Sequence, residues 1–306
     1  MHIESNSTGQ TAHTGKASTA LLLVNMGTVA ILVAVLMLVR VSPSGGTTPK
    51  TLGMQDAPTP VVSALEKVTA QALATAGVSR GKSGPYLSEM SIVHRQSALR
   101  KDGKPLVVWV GSNWCPYCAS TRWPLVVALD RFGRFKNLKV AESGRRSNEP
   151  FPGSKTLSFY GATYSSSYLS FVAVEQCSSE LGNSSAADYA CNGYVPLESL
   201  TGIAKAVFDK YDFLPYQTRW NEGGIPFVDF GNRYVEDGTF IDPKVLTGYS
   251  WTQISKSLSH PRIQPGRTIL ASANYYTAML CALTGNKPGS VCNETVVLQA
   301  AKAEKL

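Results

Sequence analysis

The chain has 306 residues, of which 43% are hydrophobic and 16% are charged, so it can bury a substantial core and is not disordered throughout. Its formal net charge of +8 would suit a nucleic acid or an anionic membrane surface as partner. No nucleic-acid motif accompanies that charge, so no nucleic-acid partner is expected.

The first predicted element is a membrane span. Residues 20–39 read ALLLVNMGTVAILVAVLMLV without a charge, and about 20 apolar residues cross a bilayer as a helix. A cleaved signal peptide is the alternative, but its apolar region is usually shorter and ends in small residues, whereas Arg40 follows here. We expect a transmembrane anchor over residues 20–41, preceded by a cytoplasmic tail over residues 1–19.

The cysteines indicate which side of the membrane the rest of the chain occupies. They form three local pairs, which are Cys115 with Cys118, Cys177 with Cys191, and Cys281 with Cys292. Even counts at short spacing suggest disulfides, and the last two pairs are interpreted as structural ones. Because disulfides persist outside the cytosol, we predict a single-pass protein of the cell membrane whose C-terminal domain is extracytoplasmic.

The stretch after the span is predicted to be a flexible linker, because residues 42–60 are rich in proline and glycine. Apolar residues then recur at helical spacing over residues 61–76, which predicts one amphipathic helix ending at Gly77. The soluble domain is therefore expected over residues 61–306, with its core at about residues 100–292.

The segment WCPYC, residues 114–118, lies between a predicted strand and a predicted helix. Residues 106–110 form a short continuous apolar run, as in a strand buried on both faces. Apolar residues at i, i+4 and i+7 predict a helix over residues 116–132 that ends at Gly133. Pro124 is expected to kink that helix.

The remainder of the chain is predicted to mix strands and helices. Two hairpins are predicted, at residues 156–164 with 168–174 and at residues 225–230 with 234–235. Helices are predicted at residues 200–211, 252–258 and 269–283. The fold class is therefore α/β, or α+β in layers, with a long β-hairpin and loop insertion and extra C-terminal helices.

Cys115 and Cys118 have the spacing of a redox pair. The start of a helix offers unpaired N–H groups and a partial positive charge, both of which stabilise a thiolate. Two intervening residues place the second sulfur one turn into the helix, where it can attack a mixed disulfide. Cys115 is the predicted attacking thiol and Cys118 the predicted resolving thiol.

A CxxC segment can also bind zinc, attach haem or form a structural disulfide. Zinc would need a second pair of ligands, and haem attachment would need histidine directly after Cys118, where Ala119 stands. We therefore expect no metal and no cofactor, while a purely structural disulfide remains open. Arg122 shares the helix face of both cysteines and is a candidate thiolate stabiliser, although a solvated or structurally paired arginine is the alternative.

The order of motifs resembles that of thioredoxin-like proteins: Trp-Cys-x-x-Cys follows a buried strand, and Gly-Ile-Pro precedes a hairpin and a closing helix. The resemblance implies a thioredoxin-like fold in which Pro226 is a cis-proline beside the CxxC motif. It also implies that Ile225 offers its backbone to an extended substrate segment by strand addition, with Trp114 beside the same docking site.

Four blocks are more specifically similar to the microbial thioredoxin-like family named domain of unknown function 929. They are CPYCASTRWPLVVALDRFG (115–133), TLSFYGATYSSSYLSFVAVE (156–175), GGIPFVDFGNRYV (223–235) and ANYYTAMLCALTG (273–285). That family has no established substrate. The chain also departs from many thioredoxins, because Trp109 stands where they carry a buried acid six residues before the attacking cysteine.

These patterns lead to hypotheses of three classes, of which a metal-binding or metallochaperone domain is the third. The first is a membrane-anchored extracytoplasmic thiol-disulfide oxidoreductase that acts on protein thiols or disulfides and is recharged by an unidentified redox partner. The second is a non-catalytic thioredoxin-like binding module in which all three cysteine pairs are structural disulfides.

Overall fold

The computed structural model describes residues 52–78, 90–182, 191–216 and 222–306. The predicted cytoplasmic tail and transmembrane anchor, residues 1–41, lie outside these ranges. No helix within them is both long and apolar enough to cross a bilayer. Thr51–Leu306 forms one compact unit.

Thirteen β-strands and eight α-helices lie in the described residues. The strands are β1 Met54–Asp56, β2 Ser91–Ile92, β3 Arg100–Lys101, β4 Lys104–Gly111, β5 Gly133–Lys136, β6 Lys139–Glu142, β7 Lys155–Ser158, β8 Thr163–Ser166, β9 Ser170–Glu175, β10 Cys177–Leu181, β11 Tyr194–Pro196, β12 Phe227–Phe230 and β13 Tyr234–Asp237. The helices are α1 Thr59–Glu66, α2 Ala70–Ala76, α3 Pro116–Leu129, α4 Gly202–Tyr211, α5 Trp251–Ser257, α6 Gly266–Leu283, α7 Gly289–Cys292 and α8 Thr295–Glu304.

The main sheet is built around β4. Its strand order is β2-β13-β12-β4-β3, and β9 also pairs with β4. Strand β12 runs antiparallel to β4, with Val108 opposite Asp229, whereas β9 runs parallel to it, with Val108 opposite Val172. Strand β4 therefore has neighbours of both directions, and the fold class predicted as mixed α/β is confirmed at that level.

Strand β4 is buried on both faces, as its apolar run predicts. Val107 and Trp109 belong to the core cluster that contains α3 and α6, whereas Val108 and Val110 belong to a second cluster with α4. The alternation follows from the two-residue period of a strand. Helices thus cover both faces of the sheet, and water is excluded from the strand that leads into the WCPYC segment.

Helix α3 is buried around its whole circumference: every residue except Tyr117 is buried, including the polar Ser120, Thr121 and Arg122. Such a helix belongs in a core, and α3 packs between the sheet and α6. The predicted helix is confirmed, although it ends at Leu129 and Gly133 already opens β5. Pro124 lies inside it.

The prediction for residues 42–76 is wrong in two respects. Met54–Asp56, in the predicted linker, pairs antiparallel with β6, so the domain begins before residue 61. The predicted single helix is two helices, because Thr69 accepts a hydrogen bond from the Ala72 N–H at 3.1 Å and starts a new one. The Thr69 cap thus divides the segment into two helices, although apolar residues recur at helical spacing throughout it.

The predicted hairpin of residues 156–164 with 168–174 is also wrong in its pairing. Both segments contain strands, but β7 pairs with β6, β8 pairs with β5, and β9 pairs with β4. Strand β9 carries the apolar residues that a place beside β4 requires, and this parallel pairing removes it from its neighbour in sequence. The insertion is therefore several short ladders rather than one long hairpin.

The C-terminal elements agree with the sequence. Strands β12 and β13 form the predicted hairpin, helices α4, α5 and α6 match the predicted ones, and α8 is an additional helix. Asn274 in α6 donates to the carbonyls of Leu73 and Gly77 at 3.0 and 2.9 Å, which holds the end of α2 against α6. A disulfide joins Cys281 to Cys292 and so ties α6 to α7.

Candidate active site

Cys115 stands at the N-terminus of α3. It is the N-cap residue, and its sulfur accepts the backbone N–H of Cys118 at 3.2 Å. Pro116 fills the first helical position, where a missing N–H costs nothing. Cys115 and Cys118 are both free thiols and both buried. The thiol is thus positioned where the unpaired N–H groups of a helix stabilise negative charge.

The two thiols differ in acidity. Burial acts to raise the pKa of Cys115, but hydrogen bonds from the thiol and the N–H of Cys118, together with the charge of Arg122, outweigh it and lower the pKa. Burial raises the pKa of Cys118 well above its usual value, and the adjacent Cys115 raises it further. One sulfur is therefore prepared to be a thiolate and the other to stay protonated, as attack and resolution require.

The loop before β12 lies against the Cys115 sulfur. The Cys115 thiol donates to the backbone carbonyl of Ile225 at 3.6 Å. The Ile225–Pro226 peptide bond is cis, as the resemblance to thioredoxin-like proteins implies. Cys115 and Ile225 are 110 positions apart in sequence. The antiparallel pairing of β12 with β4 brings them together.

A cavity of about 440 Å³ opens beside Cys115. Its wall is largely apolar and includes Trp114, Tyr117, Phe208 and Ile225, while Cys118 does not line it. A molecule in this cavity could therefore reach the first sulfur and not the second. The predicted docking residues Trp114 and Ile225 therefore line the same cavity.

The disulfide Cys177–Cys191 lies behind Trp114. Trp114 stacks on Tyr194, with ring centroids 5.7 Å apart and planes 5° apart, and Tyr194 packs against the disulfide. The backbone N–H of Asn113 donates to the Cys177 carbonyl at 2.8 Å. The insertion therefore supports one wall of the site through a covalently closed loop.

Arg122 is fully buried and does not face solvent. It makes a two-pronged ion pair with Glu175, in which Nε donates to Oε1 at 2.9 Å and Nη2 donates to Oε2 at 2.5 Å. Its guanidinium lies 5.1 Å from the centre of the Trp109 ring. Arg122 is therefore structurally paired rather than solvated. Its charge helps to lower the pKa of Cys115 and opposes the rise in the pKa of Cys118.

Comparison with known families agrees with the resemblance seen in residues 115–133, 156–175, 223–235 and 273–285. The family described as Domain of unknown function (DUF929) matches residues 92–282, more than half of the chain. The chain belongs to this family. Neither curated proteins nor solved structures gave a match.

Within the residues matched to the DUF929 family, sequence reasoning missed Glu175. It stands at the end of β9, 53 residues beyond Arg122, and its carboxylate also accepts the Phe159 N–H at 3.2 Å. An apolar strand that ends in one acid gives no sign of a buried ion pair. The parallel pairing of β9 with β4 is what brings Glu175 beneath the WCPYC segment.

A larger cavity of about 730 Å³ lies elsewhere in this DUF929 protein, where Arg145, Tyr194 and Trp251 contribute to its wall. Neither thiol lines it. The volume of a cavity does not by itself identify a reactive site. The smaller cavity is lined by Cys115, a thiol with a lowered pKa. The candidate active site is therefore the cavity beside Cys115.

Proposed function

We propose that this protein is a membrane-anchored, extracytoplasmic thiol-disulfide oxidoreductase with a thioredoxin-like fold. One observation carries the proposal: a free thiol with a lowered pKa caps α3, opens to a cavity, and has a second free thiol one helical turn behind it. A structural disulfide needs none of these properties. Cys115 and Cys118 are the catalytic residues in this proposal.

The arrangement of elements supports the thioredoxin-like part of the proposal. The WCPYC segment connects β4 to α3, and β4 has a parallel neighbour, β9, and an antiparallel neighbour, β12. The Ile225–Pro226 segment opens β12 beside the attacking thiol. This is the order of motifs that gave the resemblance in sequence.

The exchange reaction follows from the different acidities of the two thiols. The Cys115 thiolate attacks one sulfur of a substrate disulfide, the substrate S–S bond breaks, and the other substrate sulfur leaves as a thiolate that takes up a proton. Cys118 then loses its proton and attacks the Cys115 sulfur. This forms the Cys115–Cys118 disulfide and releases the substrate as a dithiol, and the same steps reversed oxidise a substrate dithiol.

The substrate in this proposal is an extended segment of another protein that carries a thiol or a disulfide. The backbone of Ile225 can pair with such a segment by strand addition, and Pro226 shapes the loop that presents it. The apolar wall of the cavity, with Trp114 and Tyr117, covers the side chains next to the substrate cysteine. An unidentified redox partner restores the starting state.

The cellular location in this proposal depends on the chain outside the described residues. Residues 20–41 serve as a single membrane anchor, because the uncharged apolar run of residues 20–39 is long enough to cross a bilayer. The disulfides Cys177–Cys191 and Cys281–Cys292 support an extracytoplasmic domain, since such bonds persist outside the cytosol.

The experiment that tests the function is trapping of the mixed disulfide. Cys118→Ser removes the resolving thiol, so we expect at least about tenfold more mixed disulfide with protein substrates than in the wild type, all of it through Cys115. Cys115→Ser is the matched control and should trap none. Alkylation after rapid acid quenching, followed by non-reducing electrophoresis and mass spectrometry, measures the adducts.

The wild type should also oxidise or reduce a model peptide that contains two cysteines. If Cys118→Ser accumulates no adduct and the wild type changes neither redox form of the peptide, the enzyme proposal fails. A chain that binds partners under those conditions would instead be a binding module with structural cysteine pairs.

A further inference from the structure

Arg122 and Glu175 form an ion pair in which neither side chain has any exposed surface. The charge of Arg122 acts on the pKa of both thiols. Arg122 belongs to α3, the helix that Cys115 caps, whereas Glu175 belongs to the end of β9. A charge in such surroundings is costly to bury. A fully buried pair beside a nucleophile is therefore a candidate for a functional group rather than for a stabilising one.

We propose that Glu175 is a positioning residue that holds Arg122 as a fixed cation on the same helix as both sulfurs, and that the Cys115–Cys118 couple consequently favours its dithiol form and donates disulfide bonds to substrate thiols. This inference rests on the proposed function and gives it a direction.

The geometry fixes Arg122 from several sides. Glu175 binds two of its nitrogens, and the Trp109 ring lies 5.1 Å from the guanidinium. Glu175 is itself held by the Phe159 N–H, and its own N–H donates to Glu198 at 2.7 Å. A guanidinium stays charged at every physiological pH. The cation therefore cannot move away or lose its charge when a sulfur beside it ionises.

Arg122 also has an unused donor. Its Nη1 atom is buried and has no acceptor among the described residues. A buried donor without an acceptor costs free energy. Although both cysteines are free thiols here, neither sulfur accepts from Nη1, so Arg122 can act on the thiols through its charge and not through this donor.

The direction of the chemistry follows from which redox form carries charge. A disulfide is neutral, so Arg122 gains little from it, whereas the Cys115 thiolate of the reduced protein interacts with the cation. Stabilising the reduced form makes a thiol-disulfide couple a stronger oxidant. The lowered pKa of Cys115 agrees with this direction. Burial opposes the lowering, the Cys118 hydrogen bonds outweigh burial, and the charge of Arg122 adds to them.

The proposed step balances without an added reagent. A substrate thiolate attacks the Cys115 sulfur of the Cys115–Cys118 disulfide, that bond breaks, and Cys118 leaves as a thiolate and takes a proton. The second substrate thiolate attacks the substrate sulfur of the mixed disulfide, and Cys115 leaves as a thiolate beside Arg122. The substrate loses two electrons and gains a disulfide, and the protein gains the two electrons as a dithiol.

The test uses two substitutions with opposite expected effects. The full-length protein is equilibrated with glutathione buffers of graded ratio, and its redox state is read by alkylation and mass. Arg122→Met removes the cation and should shift the equilibrium at least about tenfold toward the protein disulfide, equivalent to about 30 mV. Glu175→Gln keeps one acceptor but removes the opposing charge, so it should shift the equilibrium at least about threefold toward the dithiol.

The pH profile separates electrostatics from packing. The midpoint for alkylation of Cys115 should rise in Arg122→Met, fall in Glu175→Gln, and stay near the wild-type value in Arg122→Lys, which keeps the charge. Arg131→Met is the matched control, since Arg131 pairs with Glu294 at 2.5 Å and does not contribute to the pKa of either thiol. It should move neither the midpoint nor the equilibrium.

The outcomes are distinguishable. No shift in Arg122→Met would overturn the role of the cation, and no shift in Glu175→Gln would overturn the role of Glu175. A shift of Glu175→Gln toward the protein disulfide would show that the acid acts by holding Arg122 rather than by its opposing charge. Glu175→Gln decides alone if Arg122→Met does not fold. A wild type that exchanges disulfides but is as reducing as thioredoxin in the same buffers would overturn the direction and leave the proposed function standing. A wild type without any exchange would instead refute the proposed function.

Discussion

Cys115 and Cys118 are identical residues three positions apart, yet the fold gives them opposite acidities. Both are buried, which by itself raises the pKa of each. Only Cys115 caps the helix and receives hydrogen bonds from the other cysteine, so its pKa falls while that of Cys118 rises. The CxxC spacing predicted these roles because the second residue of such a pair must lie inside the helix.

Trp109 and Glu175 show where residue-level prediction stopped. The sequence indicated that the position six residues before Cys115 holds no acid. It could not indicate that an acid reaches the same region from β9, since Glu175 lies 53 residues from the arginine it binds. Sequence spacing reveals partners on one helix and not partners on two separate elements.

Asp229 in β12 makes stability depend on pH. It is fully buried, and burial raises its pKa to about 7, although the Asn232 N–H and the charge of Lys210 oppose this. An unfolded aspartate has a pKa of about 3.9, so the folded chain alone keeps this proton between about pH 4 and pH 7. The free energy of unfolding should therefore fall as pH rises through that window.

Asp229→Asn should remove the contribution of Asp229 to this dependence, while Asp212 and Asp237, whose pKa values burial also raises, keep theirs. At about pH 8 the variant should be more stable than the wild type by on the order of 4 kcal/mol, and at about pH 4 the two should be similar. Urea unfolding across this pH range measures the difference. Asp102→Asn, at an exposed turn, controls for the substitution itself. A stability difference of equal size at both ends of the range would contradict the assignment.

At the scale of elements, prediction was correct where local pattern and tertiary role coincide. Strand β4 and helix α3 are each covered on all sides. The continuous apolar run of β4 and the apolar residues at i, i+4 and i+7 of α3 were therefore sufficient to identify them. The pairing of β7, β8 and β9 was wrong because strand propensity does not specify a partner. Adjacent strands usually pair, but β9 satisfies its apolar faces only beside β4.

The two disulfides should have different consequences when removed. Each closes a short loop, with sequence separations of 14 for Cys177–Cys191 and 11 for Cys281–Cys292, so the chain-entropy estimate is about 3 kcal/mol of stability for either. Cys177–Cys191 also supports Tyr194 and, through it, Trp114. Replacing that pair with alanine should lower both stability and the rate of disulfide exchange.

Replacing Cys281 and Cys292 with alanine is the matched control, because that bond ties α6 to α7 and does not line the cavity beside Cys115. It should lower stability by a similar amount and leave exchange within about twofold of the wild type at a temperature where both are folded. Urea unfolding and peptide oxidation rates measure the two effects. Equal losses of exchange rate in both variants would argue against a role for the insertion at the site.

At the scale of the whole molecule, the compact unit Thr51–Leu306 should fold without the preceding residues. Residues 51–306 produced alone should match the full chain in unfolding midpoint and, to within about twofold, in disulfide exchange. The full chain should fractionate with membranes and the shorter chain should not, because residues 20–41 carry the predicted anchor.

Membrane fractionation with carbonate washing, applied to both chains, measures this difference. A full chain that remains in the soluble fraction would show that the anchor prediction is wrong. A shorter chain that fails to fold would show that residues before 51 contribute to the core. Neither result would bear on the chemistry of Cys115, which the trapping experiment tests separately.

The sequence by itself determined the strand and helix around the WCPYC segment, the pairing of the four other cysteines, and the order of motifs on which the proposed function rests. These features depend on residues close together in the chain, where spacing and period are readable. The tertiary structure alone decided the partners of β9, the contact of Ile225 with Cys115, and the ion pair of Arg122 with Glu175. Each of these joins distant elements, and only packing of the sheet brings them together.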